Sequence, residues 1–313
     1  MSGPARFGAV ICAMATPFLP DGGLDLDGAA LLARWLVENG NDGLVVAGTT
    51  GEAPTLTDAE KVSLWRAVRQ AVRAPLIAGS GTAGTAHSIE LTRAAAEVGM
   101  DGALVVVPYY NRPSQAGIEA HFRAVAAATD LPLLLYDIPK RTGREVRTAV
   151  LARLAGDGVI AAVKDAAGSP GATAALLRDA PASFEVYSGD DALTLPLLAV
   201  GAVGVISVAS HWAGPQMSEM VGSFHKGDTE AAIALNERLS ESWEFEGNDA
   251  APNPVPTKAM LRALGLPAGE CRLPMGPTPP GLEDSARGVW SRLHSRPFAP
   301  VRPADIAQGR VAC

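Results

Sequence analysis

The feature that most constrains the fold is a pattern repeated eight times: a short apolar run, a loop and an amphipathic helical stretch. The spacing of roughly 20 to 35 residues between the runs is typical of βα units that build a parallel sheet. A chain of 313 residues is long enough to close eight such units into one barrel. We therefore predict an α/β fold of the (β/α)8 TIM-barrel type. The apolar runs begin near Ala9, Gly43, Pro75, Gly102, Leu131, Val159, Phe184 and Val203.

An open doubly wound sheet is the main alternative for alternating strands and helices. Such a sheet usually carries a glycine-rich dinucleotide fingerprint after its first strand. No such fingerprint follows the first apolar run of this chain. The eight units and the missing fingerprint together favour the closed barrel.

Several helices can be predicted with their ends. Apolar residues recur at helical spacing in residues 26–38, 85–98 and 115–128. Thr57 and Glu60 have the spacing of a capping box, in which each side chain bonds the other residue's backbone N–H. We therefore expect a further helix to begin after Thr57.

The predicted domain organisation follows from the length left after the eighth strand. We expect the barrel to occupy residues 1–225 and a helical extension packed on it to occupy residues 226–295. Residues 296–313 lack strong periodicity and are predicted to be a loose tail, or an arm that docks on a neighbouring subunit. The helices expected in the extension are residues 230–245, 256–264 and 283–293.

Composition excludes several classes of protein. The net charge of −7 argues against a nucleic-acid surface, and no run approaches the roughly 18 apolar residues of a membrane span. Residues 7–18 could pass for the apolar part of a secretory signal, but Arg6 is the only basic residue before them. Cys12, Cys271 and Cys313 are too few and too scattered for a disulfide framework or a zinc site. We expect a cytoplasmic protein with neither nucleic acid nor membrane as a partner.

A catalytic metal is the obvious rival on this fold. No two histidines stand at ligand spacing, and Asp190 and Asp191 have no histidine partner. We therefore predict no metal. The five histidines are His87, His121, His211, His225 and His294.

Lys164 is the most informative residue for chemistry. It ends the apolar run of residues 159–163, and active sites of TIM barrels lie at the C-terminal ends of the strands. Apolar surroundings lower the pKa of a lysine and supply the free amine that forms a Schiff base. A lysine that reaches to water, or one paired with the adjacent Asp165, is the ordinary structural alternative.

Other polar residues follow neighbouring strands. The sequence GTTGE, which we call the 48–52 loop, offers backbone N–H groups to a carboxylate but could be an ordinary tight turn. Tyr136 could move protons near Lys164, although a strand tyrosine is more often part of the core. At least one ring of the pair Tyr109-Tyr110 should be exposed. Arg141 could bind a carboxylate through two hydrogen bonds, or be solvated.

Five sequence strings together resemble the dihydrodipicolinate synthase/N-acetylneuraminate lyase superfamily, over residues 7–293. Within it, the resemblance is closest to the synthases that condense pyruvate with L-aspartate 4-semialdehyde in diaminopimelate and lysine biosynthesis. It implies a class I lyase that needs no cofactor beyond a covalent lysine Schiff base. The strings are GTTGE at 48–52, PYYNRP at 108–113, YDIPKRTG at 136–143, KD at 164–165 and SGDD at 188–191.

The resemblance also implies catalytic roles. Lys164 would form the Schiff base with pyruvate. Thr49, Tyr136 and Tyr110 would form a proton relay, with Tyr110 reaching across a dimer interface into the neighbour's site.

Four further residues would bind the substrates. Thr50 would hold the pyruvate carboxylate through its backbone and hydroxyl, and Ile206 would line the pyruvate pocket. Arg141 would hold the carboxylate of the semialdehyde, with Gly189 close to the same pocket. The substrates would be a small keto acid and an aldehyde.

Two alternatives stay open at this point. Related lyases act on 2-keto-3-deoxy sugar acids, but they usually lack arginine followed by Thr-Gly at the position of Arg141, because their substrates present hydroxyl groups there. A barrel can also lose its chemistry and persist as a ligand-binding protein.

The resemblance further suggests a homotetramer built as a dimer of dimers. In relatives that lysine inhibits, polar His, Asn and Glu residues stand at the positions of Asp58, Ala83 and His87. Because these ligands are replaced here, we predict that feedback inhibition by lysine is weak or absent.

Overall fold

The structure is a computed structural model that describes residues 5–301. The eight strands in this part of the chain form a closed parallel barrel in sequence order, so the predicted (β/α)8 fold is confirmed. Each strand begins within three residues of its predicted start. The strands are β1 Val10–Ala13, β2 Gly43–Val46, β3 Leu76–Gly79, β4 Gly102–Val106, β5 Leu133–Asp137, β6 Ala162–Asp165, β7 Glu185–Ser188 and β8 Gly204–Ser207.

The helices follow the strands as the sequence predicts. In the capping box, the Thr57 hydroxyl accepts from the Glu60 N–H at 3.2 Å and the Glu60 carboxylate accepts from the Thr57 N–H at 2.8 Å. Short 3₁₀ turns lie at Ala53–Thr55 and Asp191–Leu193. The α-helices are α1 Leu26–Glu38, α2 Asp58–Ala71, α3 Thr85–Val98, α4 Gln115–Ala126, α5 Pro139–Thr142, α6 Thr148–Gly156, α7 Pro170–Asp179, α8 Thr194–Ala199, α9 Ser210–His225, α10 Thr229–Phe245, α11 Val255–Ala263 and α12 Leu282–His294.

The described residues divide into two compact units, and the first contains residues 5–9 together with Pro75–Ser207. Its strands β3 to β8 pair in parallel. Side chains alternate between the two faces of a strand. Leu135 of β5 and Val163 of β6 therefore point to one face, where they join a buried apolar cluster with Phe122 of α4 and Leu154 of α6. The alternate residues of β5 and β6, which include Tyr136 and Lys164, therefore point to the opposite face.

The second unit contains Val10–Ala74 and residues 208–301. In it β1 pairs with β2, α9 packs on α10, and α11 packs on α12. Trp35, Trp65 and Trp212 are among its largest fully buried side chains. Helices α10 to α12 lie where the sequence places the helices of the extension, whereas the domain boundaries at 225 and 295 stay predictions.

Only the beginning of the predicted loose tail belongs to the described residues. The Arg296 guanidinium lies 5.1 Å from the centroid of the Trp290 ring, and Phe298 packs against the same ring. The Val301 N–H donates to the Leu264 carbonyl at 2.8 Å. Residues 302–313 of the predicted tail lie outside the described residues.

Candidate active site

Lys164 and Tyr136 are direct neighbours on adjacent strands. The register of β5 and β6 pairs Tyr136 with Lys164, and each residue is only 5% exposed. The Lys164 Nζ lies 4.6 Å from the centroid of the Tyr136 ring. An amine at this distance has the tyrosine ring as a cation–π partner. A primary amine and a phenol, the kinds of group that imine chemistry uses, thus lie side by side in a buried position.

Two carboxyl groups lie on the other face of the same strands. The register pairs Asp137 with Asp165, one residue beyond Tyr136 and Lys164. Asp165 accepts from the Thr173 hydroxyl at 2.5 Å and from the Ala167 N–H at 3.0 Å. These bonds fix the end of β6 just beyond Lys164.

Asp137 is buried and has an unusual titration. It accepts from the Val146 N–H at 3.1 Å. Burial, opposed by the Val146 hydrogen bond and helped by the nearby charges of Asp165 and Glu145, raises the pKa of Asp137 to about 7. Sequence reasoning missed this residue, although its place after Tyr136 and opposite Asp165 could have identified it.

Gly189 leaves room for the Lys164 side chain. A Cβ at this position would lie 3.0 Å from Lys164 Cγ and 3.0 Å from Ala166 Cβ. The Gly189 N–H donates to the Asp165 carbonyl at 2.7 Å and holds this close approach. Ile206 is buried on β8, in the same compact unit as Lys164.

Arg141 lies on the one-turn helix α5, which follows β5 directly. The side chain is exposed, so its guanidinium can meet a ligand from solvent. The Thr142 hydroxyl donates to the Ile138 carbonyl at 3.1 Å, and Gly143 ends the turn with a φ of 71°. The backbone that carries Arg141 is therefore fixed, while its side chain stays available.

Tyr110 is 95% exposed and has a φ of 70°, a left-handed value that is uncommon outside glycine. The Asn111 N–H donates to the Tyr109 carbonyl at 2.8 Å, so Tyr110 is the central residue of a three-residue turn. A γ-turn with a positive φ is rare and strained. The Asn111 side-chain amide holds the turn by donating to the Ala83 carbonyl at 3.0 Å. The turn holds the phenol away from its own core.

The 48–52 loop belongs to the second unit and is tightly held. Glu52 has a left-handed φ of 55°. The Glu52 N–H donates to the Thr49 carbonyl at 3.0 Å, and the Thr16 hydroxyl donates to the Gly51 carbonyl at 2.7 Å. Thr49 is half-buried and Thr50 is buried. The loop is thus a fixed cradle of backbone groups.

Asn253 contacts this loop from the segment before α11. Its amide donates to the Thr50 hydroxyl at 3.0 Å, and its amide oxygen accepts from the Thr257 hydroxyl at 3.1 Å. The Thr50 hydroxyl keeps its own proton for another acceptor. Sequence reasoning missed Asn253, because no local pattern links residues separated by 203 positions.

A buried ion pair joins the end of the same loop to α11. The Lys258 Nζ lies 2.6 Å from Glu52 Oε1, and the two side chains are 0% and 1% exposed. Burial lowers the pKa of the Lys258 ammonium, and the Glu52 carboxylate opposes that shift. Sequence reasoning missed this contact as well.

Among residues 5–301, no three His, Cys, Asp or Glu side chains are grouped so that they could hold a metal ion. In the same part of the chain, none of the helices combines the length and the apolarity needed to cross a membrane.

Comparison with known proteins identifies the family. The profile of the dihydrodipicolinate synthetase family matches residues 6–286. A 4-hydroxy-tetrahydrodipicolinate synthase of Moorella thermoacetica is 56% identical over 272 residues, which cover 86% of this chain and 92% of that protein.

Solved structures agree with this match. The dihydrodipicolinate synthase of Cyanidioschyzon merolae with lysine bound is 43% identical, with a TM-score of 0.90 and coverage of 93% of this chain and 99% of that one. The Bacillus anthracis dihydrodipicolinate synthase is 41% identical, with a TM-score of 0.88 and coverage of 92% and 98%. The family predicted from the sequence strings is thereby confirmed: this chain belongs to the dihydrodipicolinate synthetase family.

Proposed function

We propose that the chain catalyses the 4-hydroxy-tetrahydrodipicolinate synthase reaction, the condensation of pyruvate with L-aspartate 4-semialdehyde through a Schiff base on Lys164. The observation that carries the proposal is the buried pair of Lys164 and Tyr136 in a chain whose relatives, up to 56% identical, have this activity as their name. The reaction contributes to diaminopimelate and lysine biosynthesis.

The proposed chemistry begins at the Lys164 amine. The amine adds to the keto carbon of pyruvate, and loss of water leaves an iminium that acts as an electron sink. Loss of a proton from the methyl carbon gives an enamine, whose carbon forms a bond to the aldehyde carbon of the semialdehyde. The amino group of the semialdehyde then replaces the Lys164 nitrogen at the iminium carbon. This step closes the ring and frees the lysine.

The proton transfers are assigned to Tyr136, with Thr49 and Tyr110 as the other members of the relay. The Tyr136 ring centroid lies 4.6 Å from the Lys164 Nζ, which supports this role: its phenol would give a proton to the departing water and recover it afterwards. No metal or further cofactor enters these steps, because the iminium itself stabilises the developing negative charge.

Two carboxylates are to be bound, one on each substrate. Thr50 would hold the carboxylate of pyruvate through its backbone N–H and its hydroxyl. The exposed guanidinium of Arg141 would hold that of the semialdehyde. Gly189 and Ile206 would shape the pocket of the first unit around the Lys164 stem.

We also propose that a second copy of the chain completes the site, within a homotetramer built as a dimer of dimers. The 95% exposure and strained turn of Tyr110 support this, since strain of order 1–3 kcal/mol persists only where the surrounding structure imposes it. Cys12 and Cys271 are not joined in a disulfide, which fits the predicted cytoplasmic location.

Borohydride trapping tests the proposal. Protein incubated with pyruvate and borohydride should gain a stable adduct mapped to Lys164, and Lys164→Ala should not. Turnover is then compared with aspartate semialdehyde and with a 2-keto-3-deoxy sugar acid. An adduct with turnover of only the sugar acid would redirect the assignment within the superfamily. A folded wild type without an adduct would refute Schiff-base catalysis.

A further inference from the structure

We infer that the buried ion pair of Glu52 and Lys258 positions the 48–52 loop for pyruvate, so that helix α11 sets the affinity for the keto acid without touching it. The inference rests on the proposed function, in which Thr50 holds the pyruvate carboxylate. Glu52 and Lys258 are positioning residues in this account.

The first argument is the conformation of Glu52. The residue ends the loop with a φ of 55° and a ψ of 36°, a left-handed geometry that a non-glycine residue adopts only at a cost. Its N–H closes the loop onto the Thr49 carbonyl at 3.0 Å. Any relaxation of Glu52 toward ordinary backbone angles would therefore move Thr49 and Thr50, which precede it.

The second argument is the set of groups that hold the carboxylate. Glu52 Oε1 lies 2.6 Å from the Lys258 Nζ, and Glu52 Oε2 accepts from the Arg272 N–H at 2.8 Å. The Lys258 ammonium also donates to the Glu270 carbonyl at 3.1 Å and lies 4.0 Å from the centroid of the Phe18 ring. Both oxygens are held, so the side chain has one fixed position.

The third argument is that the pair is placed where water cannot screen it. The two side chains are 0% and 1% exposed, and a buried pair of this kind is weak as a source of stability but strict in geometry. A carboxylate that served only solubility or general stability would lie at the surface. The pair joins the loop to α11, and Asn253, in the segment just before that helix, bonds the Thr50 hydroxyl.

The test separates positioning from stability with three variants. Lys258→Met leaves the Glu52 charge buried without its counterion, so it should lower the melting temperature and weaken pyruvate binding. Glu52→Gln with Lys258→Met removes both charges and should restore the melting temperature, because neutral replacement of a buried pair is often tolerated. The control is Glu283→Gln. It breaks the ion pair between Glu283 Oε1 and the Nε of Arg262, which is another α11 residue, at 2.8 Å.

The readout is the pyruvate concentration that gives half-maximal borohydride labelling of Lys164, measured beside the melting temperature. The double variant should fold as well as wild type and still need roughly 10- to 100-fold more pyruvate, since small displacements of a binding group have effects of that size. At saturating pyruvate its labelling should reach the wild-type level. The control should label at the wild-type concentration.

Two results would overturn the inference. One is a double variant with both the melting temperature and the half-maximal pyruvate concentration of wild type, which would make the pair purely structural. The other is an equal loss of pyruvate affinity in Glu283→Gln. Neither result bears on the proposed function, which fails if the wild-type protein gives no adduct or turns over only the sugar acid.

Discussion

Replacement of Asp137 by asparagine should change how the stability of the protein depends on pH. The carboxyl group lies buried behind Tyr136, bonded to the Val146 N–H, and burial raises its pKa from 3.8 to about 7. Asparagine keeps the shape and the acceptor for Val146 but does not titrate. The variant therefore removes one titration and little else.

The sign and size follow from linkage. Because the folded chain holds the Asp137 proton more tightly than the unfolded chain, the stabilisation is complete below pH 3.8 and is lost as pH rises through about 7. Moving the pKa that far corresponds to about 4 kcal/mol, of which roughly 2 to 3 kcal/mol falls between about pH 5 and about pH 8. The unfolding free energy of Asp137→Asn, minus that of wild type, should rise by this amount across that range.

Urea denaturation, followed by circular dichroism, measures the unfolding free energies of Asp137→Asn and wild type. Both proteins are measured at the same concentration, since assembly makes apparent stability depend on concentration. Glu60→Gln is the control. The guanidinium of Arg272 lowers the pKa of Glu60 to about 2, so its stabilisation is present above 4.5 and is lost only as pH falls toward 2. Its difference from wild type should stay nearly constant above about pH 5. A flat Asp137→Asn difference between about pH 5 and about pH 8 would refute the raised pKa.

Three further predictions concern the ligands. Asn253→Ala removes the donor to the Thr50 hydroxyl. The pyruvate concentration for half-maximal labelling should therefore rise roughly 5- to 10-fold, a loss of binding free energy that corresponds to about one hydrogen bond. An unchanged concentration would contradict this role. Gly189→Ala places a methyl group 3.0 Å from Lys164 Cγ and should slow adduct formation at least about 10-fold in a folded protein. Adduct formation at the wild-type rate would show that the Lys164 side chain can move aside for the methyl group. Lysine at about 1 mM should leave turnover nearly unchanged, because Ala83 offers no polar side chain to bind it. Potent inhibition would show that other residues of this chain bind lysine, the ligand present in the Cyanidioschyzon merolae structure.

The parts of this molecule that the sequence could predict are those governed by local pattern. Strand β6 and the lysine at its end follow from an apolar run and a single charge, and the capping box of Thr57 and Glu60 follows from spacing alone. The end of α4 is less well predicted. The pattern extends to Ala128, whereas the helix ends at Ala126, because apolar periodicity does not tell the last turn of a helix from the turn that follows.

Contacts between distant residues could not be predicted in the same way. No local sequence pattern indicates that Glu52 in its loop or Lys258 in its helix is buried. Their burial becomes apparent only when α11 is packed beside the loop. Asp137 was overlooked for a related reason. Its pKa is raised mainly by burial, with smaller contributions from the charges of Asp165 and Glu145, and this burial depends on how the folded chain packs around it.

The ion pair gives the segment after the eighth strand a contact with the 48–52 loop. A buried carboxylate without a partner costs several kcal/mol, and removal of one member of a buried pair typically costs about 3 to 5 kcal/mol. The 48–52 loop places the Glu52 carboxylate in such a position, and its partners, Lys258 and the Arg272 N–H, both come from the C-terminal segment. A chain truncated before α11 would therefore contain the residues of all eight strands but lack Lys258, the counterion of Glu52 in the 48–52 loop. If Thr50 holds pyruvate as proposed, α11 takes part in positioning that carboxylate, and sequence changes in α11 should alter affinity for the keto acid before they alter the chemistry at Lys164.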